Sequence, residues 1–251
     1  MLQIIKRTLR TIFGIYAAIV FACSLLISSL LYFIVFTLMD EDHSPAFAHR
    51  YISRPWASFL FIMYGIRVEI RNRNFLERHQ PYVFIANHRS QLDIPAYAIA
   101  TNHIIRFLAK AELNKIPLMG YIIGKLYISV DRKDKAARSR SMENMLSSLR
   151  RGISVFICPE GTRNKGTEPL LPFHDGAFRL AIQAQMPLAI LVVKNAEQLL
   201  SPLRPVELAP GKIICQWCPT ISTRGLTQED LPSLKDKAIE LMTEALTGRQ
   251  A

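Results

Sequence analysis

Between Arg10 and Asp40 the chain carries no charged side chain. The run from Thr11 to Met39 is about 29 residues, more than the ~20 that cross a bilayer core at ~1.5 Å per residue. It is too long for the apolar core of a cleaved leader, and no small-residue cleavage site closes it. Such a segment must bury its surface in lipid or against protein, so membrane attachment is expected. Lys6, Arg7 and Arg10 precede it, and Asp40, Glu41 and Asp42 follow, an asymmetry that holds the N-terminus on the cytoplasmic side. A second apolar stretch, Trp56 to Ile66, is roughly 11 residues, too short to span but enough to lie in the interface. The two together predict a membrane anchor over residues 1–66, with a helix at 11–39 and an interfacial segment at 56–66. A hairpin dipping into one leaflet, preferred here to a single span, leaves residues 67–251 at the cytoplasmic face.

The formal charge of +11 asks for an anionic partner. Basic residues gather at Arg132, Lys133, Lys135, Arg138 and Arg140, then at Arg150 and Arg151. Singly each suits a solvated helix face. Collectively, beside a membrane anchor, they suit anionic lipid headgroups. Aromatic side chains do not interleave with them and no nucleic-acid motif is present, so nucleic acid is not an expected partner. The four cysteines include one Cys-x-x-Cys, Cys215 and Cys218, inside a strand-like segment. Without a second pair or histidines at ligand spacing, core packing is expected and no metal site.

Beyond residue 66 the pattern alternates. Strands are predicted at Arg67–Ile70, Tyr82–Ala86, Ile104–Ala109, Leu126–Val130, Ser154–Cys158, Leu188–Val193 and Lys212–Ile221. Helices are predicted at Leu92–Thr101, Ala136–Arg151, Asp175–Gln185 and Ser233–Leu246. Alternation of this kind indicates one α/β domain with a mainly parallel sheet flanked by helices.

Two polar constellations follow two of the strands, the arrangement by which α/β proteins build sites at the carboxyl ends of strands. The first is Asn87-His88-Arg89-Ser90-Gln91-Leu92-Asp93. Five residues along a regular helix leave His88 and Asp93 roughly 140° apart. They meet only if His88 stays in the loop while Asp93 enters the first turn. Ser90 suits the N-cap of that turn, so Ser-x-x-Asp also reads as a plain capping arrangement. A carboxylate on one imidazole nitrogen fixes the tautomer and leaves the other nitrogen free to take a proton. The second constellation, Pro159-Glu160-Gly161-Thr162-Arg163, offers a guanidinium fork suited to phosphate, with Lys165 nearby and Gly161 allowing close backbone approach. Alone, it also reads as a solvated surface loop.

With both constellations on one chain, residues 67–220 resemble the glycerolipid acyltransferase family, which includes the 1-acylglycerol-3-phosphate acyltransferases. That family carries four ordered blocks. Here they correspond to His88 through Asp93, Gly124 through Ile128 to Arg132, Pro159 to Arg163, and Pro187 to Val193. The chain departs from the pattern at Ile190, where a second proline is common, and at His174 and Asp175, where basic residues are common.

The resemblance implies a fatty acyl transfer from acyl-CoA or acyl-carrier protein to the hydroxyl of lysophosphatidic acid, with no cofactor beyond that co-substrate. His88 would be the general base, oriented by Asp93. Glu160, Gly161, Thr162 and Arg163 would hold the acceptor, with Arg163 on its phosphate and Arg132 and Lys110 as further candidates. Three alternatives stand beside this reading. They are another acceptor such as a lysophospholipid or lyso-ornithine lipid, a non-catalytic anionic-lipid binding module, and a hydrolase using Ser90 or Cys158.

Overall fold

The computed structural model describes residues 1–40, 43–131 and 134–248. Seven strands form one sheet: β1 (Ile66–Arg71), β2 (Val83–Ala86), β3 (Ile105–Lys110), β4 (Ile128–Val130), β5 (Ser154–Ile157), β6 (Leu188–Lys194) and β7 (Gly211–Trp217). Their order is β1-β7-β6-β2-β5-β3-β4. β6, β2, β5, β3 and β4 run parallel, so their carboxyl ends share one edge. β7 is antiparallel to β6, and β1 is parallel to β7, so this pair runs in the opposite sense. The sheet is therefore mixed, with a parallel centre.

The central strands β2, β5 and β6 are buried almost throughout because both faces are covered, whereas β1, β3 and β7 carry charged or polar positions. In β2, Phe84 and Ala86 enter one core and Val83 and Ile85 the other. The first core lies under α1 (Leu2–Leu38), α3 (Arg54–Met63) and α4 (Asp93–Ala100). The second lies under α6 (Lys135–Arg150), α7 (Gly176–Ala184) and α9 (Leu231–Thr247). Trp217 packs tilted against Phe84 in the first, with ring centroids 5.3 Å apart, while Phe178 and Met242 help fill the second. Cys215 belongs to one core and Cys218 to the other, so they cannot ligate a common metal. Burial pushes their thiols up to about 12 and about 11.

Several boundaries differ from those read in the sequence. The first helix begins at Leu2 rather than Thr11, because the amphipathic turns carrying Lys6, Arg7 and Arg10 continue it. Ile66, assigned to the interfacial segment, already opens β1. Leu126, expected to start a strand, ends α5 (Met119–Leu126), a helix its two glycines concealed.

α1 is long and apolar enough to cross a membrane by length and composition. It nevertheless packs against the domain along its length. Its buried positions, Gly14, Ala17, Ser24, Ser28 and Tyr32, recur at helical spacing and are mostly small. Tyr64 Oη donates to the Ala17 carbonyl at 3.1 Å, Trp56 Nε1 donates to Ser24 Oγ at 3.0 Å, and Tyr32 and Ser53 share a hydrogen bond of 2.7 Å. Near its start, Arg7 pairs with Glu207 at 3.1 Å and the Leu208 N–H reaches the Arg10 carbonyl. Opposite this face, Ile12, Ile15, Ile19, Leu26, Ile27 and Leu30 are exposed.

A Cβ on Gly14 would lie 1.9 Å from the Val206 carbonyl oxygen. Gly14→Val is therefore expected to push α1 off the 206–208 segment and to cost about 1–3 kcal/mol, as overpacking does. Thermal unfolding in detergent would read this as a lowered midpoint; an unchanged midpoint would mean α1 is not seated there.

Candidate active site

β2 leads into a loop in which every backbone group from Asn87 to Ser90 that bears on the imidazole is fastened. Asn87 extends the sheet with its side chain: Nδ2 donates to the Val193 carbonyl at 2.9 Å and Oδ1 accepts from the Val193 N–H at 2.8 Å. The Asn87 carbonyl accepts from the buried Tyr97 hydroxyl, whose burial raises its pKa well above the ordinary phenol value. The His88 N–H donates to Glu160 Oε1 at 2.8 Å, and the His88 carbonyl accepts from the Asn164 N–H at 2.7 Å. The N–H groups of Arg89 and Ser90 both donate to Asp93 Oδ2, each at 2.7 Å.

The same Asp93 oxygen lies 2.9 Å from His88 Nδ1. Its two backbone partners can only donate, so it acts as an acceptor and Nδ1 carries the proton. Nε2 is then the basic nitrogen, and among the described residues no protein group bonds it. Asp93 is 1% exposed and the His88 side chain 17%, so the imidazole meets solvent while its carboxylate does not. The regular helix begins at Asp93, one turn after Ser90. The N-cap is Leu92, with no side-chain cap bond, so Ser90, expected there, stands two residues ahead of it. Ser90 Oγ accepts from the Leu92 N–H at 3.2 Å while Asp93 returns to the Ser90 N–H, a turn before the helix that coexists with the histidine–aspartate contact. Ser90 Oγ is buried and donates to the Leu200 carbonyl at 2.7 Å. A hydroxyl committed in this way is no nucleophile, which removes one of the hydrolase candidates.

The second constellation follows β5, the strand beside β2. Gly161 takes φ +70°, a left-handed turn that favours glycine, and its N–H closes back on the Cys158 carbonyl. Thr162 is exposed and Arg163 half-buried. Among the described residues Arg163 makes no hydrogen bond or ion pair. Glu160 requires a correction: it does not point a free carboxylate at an acceptor. It is 3% exposed, and its oxygens take the N–H groups of His88 and, at 2.9 Å, Leu171. An unpaired carboxylate would repel a phosphate, whereas here it braces two loops. Burial raises its pKa above the usual carboxylate value, opposed by those two amides.

Lys110 ends β3 on the same sheet edge, exposed and paired with Glu112 at 3.0 Å. Arg132 lies outside the described residues. Among the described residues no histidine, cysteine, aspartate or glutamate group is placed to hold a metal ion.

The sequence profile of the family described as Acyltransferase matches residues 67–194, which takes in both constellations. The chain belongs to the acyltransferase family. A relative from Mus musculus, 1-acyl-sn-glycerol-3-phosphate acyltransferase alpha, is 34% identical over 177 residues, 69% of this chain and 61% of that protein. The Saccharomyces cerevisiae 1-acyl-sn-glycerol-3-phosphate acyltransferase is 29% identical over 219 residues, 85% of this chain and 70% of that protein. The matched stretch thus spans about three-fifths of the length of the mammalian relatives, 61% for the mouse protein. The crystal structure of the 1-acyl-sn-glycerophosphate (LPA) acyltransferase from Thermotoga maritima shares the fold, with TM-score 0.74 over 98% of each chain at 20% identity.

Tyr97, Asn164 and the side chain of Asn87 hold the His88 loop without standing among the residues expected from the sequence. A polar residue directly after an apolar strand was the available signal for Asn87. Tyr97 and Asn164 act through backbone groups that sequence does not bring together.

Glu160 supplies a pH test. Its folded pKa is raised, so its contribution to stability is full below the unfolded value of about 4.3 and is lost as pH rises through the folded value. The stability of the parent protein relative to Glu160→Gln should therefore fall as pH rises across that window, in denaturant unfolding at a series of pH values. A difference that is flat or rises with pH would contradict the burial of this carboxyl.

Proposed function

We propose that this protein is a membrane-bound acyltransferase. It moves a fatty acyl group from a thioester, acyl-CoA or acyl-carrier protein, to the sn-2 hydroxyl of 1-acylglycerol 3-phosphate, giving phosphatidic acid. The observation that carries the chemistry is the 2.9 Å contact of His88 Nδ1 with Asp93, with Nε2 unbonded among the described residues and the imidazole 17% exposed. Nε2 takes the proton of the substrate hydroxyl as its oxygen attacks the thioester carbonyl. Asp93 stays ionised and stabilises the imidazolium. When the C–S bond breaks, the imidazolium returns the proton to the leaving thiolate, and His88 is regenerated. No protein nucleophile is needed.

Arg163, a half-buried guanidinium with no partner among the described residues, suits the acceptor phosphate. Lys110 stands on the same edge, but its pairing with Glu112 makes it the weaker ligand. The substrate assignment draws on relatives that carry this activity in their names and on the Arg163 loop following the strand next to His88.

The anchor is read as lying in one leaflet. A spanning α1 would draw the groups bonded along its middle, Tyr64 on Ala17 and Trp56 on Ser24, and the domain that carries them, into hydrocarbon. Seated on the domain instead, it presents only its outer apolar face to lipid. Lys135, Arg138 and Arg140, exposed at the start of α6 on the active edge, suit anionic headgroups there.

The test is transfer of labelled acyl groups from both donors to a panel of lyso-acceptors. His88→Ala is expected to lower transfer by at least about 10³-fold while the protein still floats with liposomes. Full retained transfer would remove His88 as the base. Arg163→Ala should raise the KM for the phosphate-bearing acceptor by on the order of tenfold or more, with kcat less affected. An unchanged KM would move the phosphate site elsewhere. Preference for a lyso-acceptor without the phosphomonoester would replace the proposed substrate.

A further inference from the structure

Arg89 lies between the base and its carboxylate in sequence, and its guanidinium binds a different part of the chain. Nη1 donates to the carbonyls of Glu168 at 2.7 Å and Pro169 at 3.3 Å, and Nη2 donates to the Gly166 carbonyl at 2.9 Å. Its Nε faces Glu197 Oε1 of α8 (Ala196–Leu199) at 3.9 Å, and the side chain is only 17% exposed. Three carbonyls of the loop after β5 are thus gathered on a residue of the loop after β2.

That loop is closed from inside by Asn164, whose Nδ2 donates to the same Glu168 carbonyl at 2.9 Å and whose Oδ1 accepts from the Gly166 N–H at 2.8 Å. Asn164 directly follows Arg163, and its own N–H sits on the His88 carbonyl at 2.7 Å. Arg163 therefore directly precedes a segment tied at Asn164 to His88 and at residues 166–169 to Arg89.

We infer that Arg89 is a positioning residue for the acceptor: it fixes the loop bearing Arg163 against the His88 loop and so sets the phosphate-to-hydroxyl spacing that the enzyme accepts. Arg89 is not assigned as a phosphate ligand, because its guanidinium is turned onto three loop carbonyls and its side chain is only 17% exposed. The inference rests on the reading of His88 and Arg163 given above. In a glycerol phosphate the sn-2 hydroxyl and the sn-3 phosphate sit on neighbouring carbons, so the spacing is short and a site must hold it to about 0.5 Å. Lysine at this position could not reproduce the clamp, since an ammonium on a flexible stem lacks the planar fork that spans three carbonyls.

The test uses full-length Arg89→Ala and Arg89→Lys in mixed micelles, with KM and kcat measured separately for 1-acylglycerol 3-phosphate and for the acyl thioester. The acceptor KM should rise on the order of tenfold in both variants, with the donor KM unchanged. Amide hydrogen exchange should accelerate at residues 164–169 and not across β2 or β6. An acceptor KM within about twofold of the parent, or donor and acceptor KM rising together, would overturn the assignment. If Arg89→Ala does not fold, Arg89→Lys decides by the same criteria. Loss of transfer in His88→Ala beside parental constants in the Arg89 variants would retain the proposed chemistry and reject only the clamp. Transfer retained in His88→Ala would instead reject the chemistry itself.

Discussion

One carboxylate oxygen organises the centre of this protein. Asp93 Oδ2 receives the Arg89 and Ser90 amides and the His88 imidazole, and it does so while 1% exposed. Ionised carboxylates are costly to bury unless donors surround them, so the loop can close only in the conformation that delivers all three. The energetic demand of the aspartate is thereby also the geometric demand of the histidine. Remaining peptide groups around His88 are taken by Tyr97, Glu160 and Asn164, which leaves little freedom to lose when substrate binds.

What was legible in the sequence follows the range of the forces involved. The His88–Asp93 relation spans five residues and a capping turn, and local geometry required it to be a loop-to-helix contact. The apolar runs that became β2, β5 and β6 announced themselves because strands buried on both faces have no polar alternation to blur them. The bond from Glu160 to the His88 amide joins positions 72 residues apart and was invisible. An acidic residue in a loop reads from sequence as a ligand, whereas Glu160 satisfies the His88 and Leu171 amides.

Strand direction was likewise beyond reach. Periodicity reports that Gly211–Trp217 is extended but not which way it enters the sheet. The reversal arises because α8 and the segment after it carry the chain back along the edge at which β6 ends, so β7 returns antiparallel and brings β1 with it. α5 is illegible for a different reason. Gly120 and Gly124 lower its helix propensity, and tertiary packing, in which Ile122 and Leu126 join Tyr32, Ala48 and Ile52, offsets that loss.

That packing has a further consequence. The apolar helix is part of the folded body: Ala17 belongs to the principal core and the Arg10 carbonyl accepts a domain amide. If α1 is the anchor, as proposed, helix and sheet would move as one piece. With the anchor in one leaflet as proposed, immersion depth and the angle of the sheet edge to the lipid surface would be set by which small residues, Gly14, Ala17, Ser24 and Ser28, let the helix approach. Such a body would meet a bilayer as a rigid gauge does, by its own dimensions.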